Sequence, residues 1–355
     1  MKHRIIPAIM SGGAGARLWP ASTQSKPKQF HALGGSDSLF HETVARVAGD
    51  KGAIRYAAPI VLCNHRHTDL VEAELVAAGV CPAAIVIEPV ARNTAPVAAI
   101  AAALAGEFDE NALVLLLPAD HVVADPLAFH AAIARGAPFA RERIVAFGVT
   151  PSRPATGYGY IKIGVALGDG VFAIDAFREK PTPEVAEHYL ADGGYAWNAG
   201  VFLFHPRTLL EEFDASADIR EGALASLAHA RRDGARIALD AERFTRIRAA
   251  PLDIAVMEKT ARAAVVPCEF GWADVGSWDE IWRLSAKDAD GNAIHGPVAV
   301  LDAANNLLRG DGVTICVAGV SDLIVVATPD AIIIVPRDRA QDVKKLRDLA
   351  EKSRA

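Results

Sequence analysis

The chain has 355 residues, of which 51% are apolar and 23% charged; acids exceed bases by 43 to 37, a formal charge of −6. That much apolar material excludes global disorder, and the length allows one large domain, or a large one with a smaller companion. Mild acidity with no basic block argues against a dedicated nucleic-acid binder. The cysteines Cys63, Cys81, Cys268 and Cys316 lie far apart with no CxxC or Cys/His spacing, which argues against zinc and for a reducing compartment.

The N-terminal apolar stretch stops at glycines and is too short for a signal peptide. The Ala-rich stretch from Ala95 to Gly106 is too short to cross a bilayer. A soluble, cytoplasmic protein is expected. In chain order, Ile5–Met10 is a short apolar run ending in Ser11-Gly12-Gly13, and Ser38–Ala48 has helical spacing. Pro59–Cys63 is a second run, and Asp69–Ala78 a second helical stretch. Ala84–Ile87 leads to Glu88-Pro89 and the Ala-rich helix, Leu113–Leu117 to Pro118-Ala119-Asp120-His121. A helix near Pro126–Ala137 and a run at Ile144–Phe147 follow. Apolar runs alternating with amphipathic helices predict an α/β fold, a Rossmann-like, mostly parallel mixed sheet flanked by helices. Ligands of such sheets sit beyond the carboxyl ends of the strands, where these runs turn polar.

Tyr158–Val165 and Val171–Phe177 predict a hairpin around Gly168-Asp169-Gly170, and Asn198–Phe204 another strand. Helical stretches run from Pro206 to Ala228 and from Pro251 to Thr260. From about Asn292 the runs Val298–Leu301, Leu307–Leu308, Val313–Val317, Leu323–Ala327 and Ala331–Val335 predict a small, short β-helix-like module. A charged, helix-prone tail, Asp338–Lys352, ends the chain. The expected division is 1–290, catalytic, and 291–355, the β module with its terminal helix. The last run lacks polar alternation, which suits burial on both sides. A module with few covering helices would bury one face against a second subunit, so a homodimer is expected.

The strongest motif is Ser11-Gly12-Gly13-Ala14-Gly15-Ala16-Arg17-Leu18, directly after the first strand. Glycines there let backbone N–H groups ring an anionic phosphate chain. Arg17 adds a cation, and Lys28 of Lys26-Pro27-Lys28-Gln29-Phe30 is placed to reach the same anion. The loop is not a Walker A motif, since Gly15 is not followed by Lys-Ser/Thr. It is not a dinucleotide fingerprint either, since Leu18 stands where the third glycine belongs.

This loop with KPKQF resembles the signature of the sugar-1-phosphate nucleotidylyltransferases. The resemblance narrows to their mannose-1-phosphate guanylyltransferase branch through EPVARNTAP (88–96), PADH (118–121), GYGYI (157–161), FREKP (177–181), WNAGVF (197–202) and GWADVGSW (271–278). It spans nearly the whole chain, including SDLIVVATPD (321–330). Ala16 stands where the family usually has Thr, Ala199 and Ala273 where Ser is common, and Arg178 replaces an apolar residue. The chain is too short for the isomerase domain that some members add.

The resemblance implies transfer of GMP from GTP to mannose 1-phosphate, giving GDP-mannose and pyrophosphate. The sugar phosphate attacks the α-phosphorus, so cations, backbone donors and a divalent metal are needed, but no protein nucleophile or strong base. Asp120 and Asp274 are carboxylates on loops, and the resemblance assigns both to Mg2+. His121 is read as fixing the loop, and Cys63 and Cys81 as buried packing residues. The resemblance makes Lys180 the cation for the sugar's phosphate. Glu179 and Asn198 would bond sugar hydroxyls, and Gly159 would let the backbone approach. Ser11, Gly12, Gly13, Gly15, Arg17 and Lys28 form the nucleotide's phosphate site. Glu88 matches guanine's donor edge, while Arg92 and Asn93 are alternatives for base or ribose. Rival readings are the same chemistry with another base or sugar, or a catalytically silent nucleotide-sugar sensor.

Overall fold

Every apolar run of the first half becomes a strand of one sheet in the computed structural model, which describes residues 2–13, 15–33 and 35–354. Ala14 of the glycine loop lies outside the described residues. The chain forms two compact units that do not follow chain order. One comprises Met1–Gly12, Thr43–Ala119 and Val123–Trp272; the other gathers Gly13–Glu42, Asp120–Val122 and Ala273–Ala355.

In the first unit, His3–Ser11 pairs in parallel with Ile60–Asn64 on one side and Leu113–Pro118 on the other, and Ile60–Asn64 pairs in parallel with Ala84–Glu88. Between their polar ends these strands are apolar, because both faces are covered. The sheet then turns mixed: Tyr195–Phe204 runs antiparallel between Leu113–Pro118 and Ile144–Val149. The strand Ala263–Cys268, which sequence reading missed, lies parallel to Ile144–Val149. The predicted hairpin forms from Tyr160–Gly168 and Val171–Arg178.

The Ala-rich segment is the helix Thr94–Phe108, capped by the Asn93 side chain, which accepts from Thr94 N at 2.9 Å. Ala98, Ala99, Ala101, Ala102 and Ala105 are fully buried, and their small side chains let the sheet and neighbouring helices pack closely around the helix. Asp125 caps Pro126–Gly136 with proline in the first turn. The Pro206–Ala228 stretch divides into two helices, Pro206–Glu211 and Ala217–Ala228.

In the second unit, Ala293–His295, Leu307–Gly310 and Leu323–Ala327 stack in parallel, as do Val298–Leu301 and Ile315–Ala318. This is the short β-helix-like stack. Its turns are tied by two buried asparagines. Asn292 donates to Ala303 O at 2.8 Å and accepts from Asn306 N and Nδ2; Asn306 donates to Val320 O and accepts from Leu323 N at 2.9 Å. Satisfied this fully, buried amides fix the stacking register. The strand Ile332–Pro336 closes the stack antiparallel to Leu323–Ala327. Burial on both of its faces does not occur within the chain: Ile332 and Ile334 are 59% and 64% exposed, because only the face carrying Ile333 and Val335 is covered. The charged tail is the helix Val343–Arg354, anchored by buried Val343 in a core with Leu18, Ala21, Val275 and Trp278. No helix among the described residues is long and apolar enough to cross a membrane.

Candidate functional site

The second unit brings five of the predicted residues to one place. Gly15, Arg17, Lys28, Asp120 and Asp274 line a cavity of about 290 Å3, and Lys344 of the C-terminal helix lines it too. Gly15 has a φ of 55°, and a Cβ there would stand 2.8 Å from Lys28 Cβ and from Ser22 Oγ, so glycine serves both the turn and the close approach. Lys28 Nζ forms an ion pair with Asp120 Oδ2 at 3.0 Å and donates to the backbone carbonyl of Asp274 at 2.5 Å. The side chains of Lys28 and Asp120 are 11% and 19% exposed, so the pair is largely shielded from water. The Asp274 carboxylate accepts from Gly276 N at 3.2 Å, which orients the loop that carries it. His121 lies 3.8 Å from Asp120 Oδ1. No cluster of three or more His, Cys, Asp or Glu with metal-ligand geometry occurs among the described residues. Two hard carboxylates on one polar cavity are a donor set that suits Mg2+ when phosphate oxygens and waters complete its shell.

The first unit brings together the residues expected to bind the sugar and its phosphate. A Cβ on Gly159 would lie 2.8 Å from Glu179 Oε2 and 3.5 Å from Asn198 Cβ. Asn198 N donates to Gly159 O at 2.8 Å. Lys180 pairs with Glu179 and is the following residue in a left-handed conformation, φ 46°, which non-glycine residues adopt mainly where the surroundings hold them. Two residues that hold this group were missed in the sequence. Asp253 Oδ1 accepts from Asn198 Nδ2 at 2.9 Å, and Glu258 Oε1 accepts from Glu179 N at 3.0 Å. They lie together because Asp253–Met257 is a π-helical turn closed by Glu258 N donating to Asp253 O at 2.8 Å. The sequence PLDIAVMEKT reads as ordinary helix, so only the neighbouring acids hinted at this. Burial, and then the nearby Glu179 carboxylate, pushes Asp253 up to about 7.

The residues expected to bind the base or ribose divide. Ser11 and Glu88 stand at the carboxyl ends of their strands, Ser11 opposite Cys63 and Glu88 opposite Asn64. Arg92 donates to Thr245 O, and Asn93 caps its helix, so each has a local structural partner. Cys63 is buried, and burial pushes its thiol up to about 12; Cys81 is exposed, contrary to its reading as a packing residue, because it lies in the loop between the helix Thr68–Ala77 and the strand Ala84–Glu88.

The nucleotidyl transferase family model matches residues 6–291, and the model of the MannoseP isomerase/GMP-like beta-helix domain matches residues 296–348. A mannose-1-phosphate guanylyltransferase of Salmonella muenchen is 39% identical over 97% of this chain and 73% of its own length. The chain belongs to the mannose-1-phosphate guanylyltransferase family of nucleotidyl transferases. Alginate biosynthesis protein AlgA of Pseudomonas aeruginosa is 44% identical over 99% of this chain and 73% of its own length. A solved structure from Thermus thermophilus, described as a mannose-1-phosphate geranyltransferase, superposes with a TM-score of 0.85 at 31% identity, covering 99% of this chain and all of that one. As a member of this family the protein is an enzyme of nucleotidyl transfer, with a nucleotide and a sugar phosphate as substrates.

Glu88 gives the fold a pH signature. Burial pushes its carboxyl from 4.5 up to about 7. The folded state therefore holds a proton that the unfolded chain releases earlier, so stability is full at low pH and falls as pH rises through this interval. The loss approaches on the order of 3 kcal/mol above neutrality. Glu88→Gln has no proton to lose. Its melting temperature relative to the parent should climb from pH 5 to pH 8, and a pH-independent difference would refute the assignment.

Proposed function

We propose that the protein transfers the GMP moiety of GTP to mannose 1-phosphate, releasing pyrophosphate. The observation that carries this reading is the cavity uniting the glycine loop, Arg17, Lys28 and two carboxylates, taken with the names of the relatives. A phosphate oxygen of the sugar forms a bond to the α-phosphorus as the bond from that phosphorus to the bridging oxygen breaks. Both reactants are anions, so repulsion between them and charge on the departing pyrophosphate are the obstacles. Backbone N–H groups of Gly12, Gly13 and Gly15 with Arg17 and Lys28 would hold the triphosphate. Lys180 would hold the sugar's phosphate, while Glu179, Asn198 and the backbone at Gly159 would read its hydroxyls. Glu88, protonated or not, offers oxygen atoms to a base at the strand ends. Asp120 and Asp274 would hold Mg2+, which when bound neutralises phosphate charge.

The direct test is pyrophosphate release across four nucleoside triphosphates and several sugar 1-phosphates, with and without Mg2+. GTP with mannose 1-phosphate should give the fastest turnover, and chelation should abolish it. Asp120→Asn and Asp274→Asn should each lose most Mg2+-dependent activity. Undiminished turnover in both variants would remove the metal assignment, and equal use of another pair would correct the substrates.

Arg17 and Lys180 should fail differently. Arg17→Ala should lower kcat and weaken GTP use, whereas Lys180→Ala should mainly raise the KM for mannose 1-phosphate, by about tenfold. Steady-state kinetics with each substrate varied would separate the two. A Lys180→Ala variant impaired only toward GTP would overturn the division of roles.

The uncovered edge strand Ile332–Pro336, with Ile332 and Ile334 exposed, favours a second copy of the chain as its cover. Light scattering at micromolar concentration should give a dimeric mass, and Ile332→Lys with Ile334→Lys should give a monomer. A monomeric parent chain would refute the dimer.

A further inference from the structure

We infer that Lys344, on the C-terminal helix, is a further phosphate-binding residue of the nucleotide site, an inference that rests on reading its cavity as the triphosphate site. Lys344 lines the same cavity as Gly15, Arg17, Lys28, Asp120 and Asp274. The charges there are unequal in number, three cations against two carboxylates. Lys28 is already engaged by Asp120 Oδ2 and the carbonyl of Asp274. Among the described residues, Arg17 and Lys344 have neither an ion-pair nor a hydrogen-bond partner. The cavity therefore keeps a cationic excess that suits an anion with several charges, and Lys344 provides part of it.

The position of Lys344 is fixed by its neighbour. Val343 is fully buried in the core that also holds Leu18, which follows Arg17 in the glycine loop, and Val275, which follows Asp274. The helix start is thus anchored to the two loops that line the cavity. Lys344 is the second residue of the helix Val343–Arg354, which continues directly from the helical turn Arg337–Asp342, so its backbone is held on both sides. A free surface lysine would need none of this anchoring. The arrangement suits the outer phosphates of a nucleoside triphosphate, which are also the atoms of the departing pyrophosphate. The charged tail, which the sequence shows only as helix-prone, then contributes directly to substrate binding.

The test measures dissociation constants of GTP, GDP, GMP and inorganic tripolyphosphate for the full-length protein by calorimetry. Lys344→Ala should weaken GTP and tripolyphosphate roughly fivefold, GDP less, and GMP not at all. Lys344→Glu should weaken them further, and Lys344→Arg should restore most of the affinity. The KM for mannose 1-phosphate should stay unchanged in Lys344→Ala. Unchanged GTP and tripolyphosphate affinity in Lys344→Ala would overturn the inference, as would an equal loss for GMP. Arg17→Ala separates the two levels: if it weakens tripolyphosphate while Lys344→Ala does not, only the role of Lys344 fails. If neither variant affects tripolyphosphate, the triphosphate reading of the cavity fails with it. Unaltered melting temperatures would show that the variants report on binding, since Lys344 is exposed and its substitution disturbs no core.

Discussion

The contact between Lys28 and Asp120 is the constraint from which the nucleotide-side cavity is built. It requires Gly15, because any side chain there would push against the stem of Lys28. It requires the loop after Leu113–Pro118 to bring Asp120 within 3.0 Å, and it ties down the backbone of Asp274 through its carbonyl. Three segments distant in sequence are thus held by one ammonium group. A shielded ion pair of this kind contributes little net stability, since desolvation offsets most of the attraction, but removing one partner leaves the other uncompensated. Its value lies in fixing where two carboxylates stand while no substrate is bound.

The carboxylates of the molecule are sorted by what surrounds them. Asp120 has a cation beside it. Glu88 and Asp253 are buried with no ion-pair partner among the described residues, and burial pushes both up to about 7, Asp253 in spite of the nearby Lys180. A carboxylate in the first setting already faces a positive charge and suits a metal or a cationic partner. A group in the second can exist as the neutral acid near neutrality and can donate as well as accept. Asp253 already accepts from Asn198, so its burial serves to hold that amide. No described group donates a hydrogen bond to the Glu88 carboxylate, which leaves its oxygens available to a ligand at the strand ends.

What was legible in the sequence follows from how local each signal is. The runs Ile5–Met10, Pro59–Cys63 and Leu113–Leu117 announce themselves because strands buried on both faces need unbroken apolar residues. The glycine loop after the first strand was legible because its glycines and Arg17 stand within a few residues of each other. Strand order was not, because the antiparallel insertion of Tyr195–Phe204 beside Leu113–Pro118 depends on contacts between distant segments. Asp253 and Glu258 escaped notice for a subtler reason. Their shared face exists only because the turn closes with a five-residue hydrogen bond, whereas ordinary helical spacing would separate them. Which face of Ile332–Pro336 the chain itself covers was not legible either, because an apolar run looks the same whether one face or both are covered by its own chain.

The C-terminal stack shows why a segment of short strands can bear a functional residue at all. Strands of three to five residues, such as Ala293–His295 and Leu323–Ala327, carry few ladder bonds each and would fray alone. The asparagine pair supplies the missing order, because each buried amide bonds the turn above or below it and a slip of register would leave those groups unsatisfied. Arg337 adds to this by lying 3.5 Å over the Trp282 ring, fastening the end of the stack to the helix Trp278–Leu284. Trp278 of that helix donates to the carbonyl of Trp19 at 3.0 Å, beside the glycine loop. Rigidity is therefore passed from amide ladder to aromatic helix to phosphate loop within a single compact unit. A cation at the start of the last helix can then keep a defined position although its own side chain is exposed.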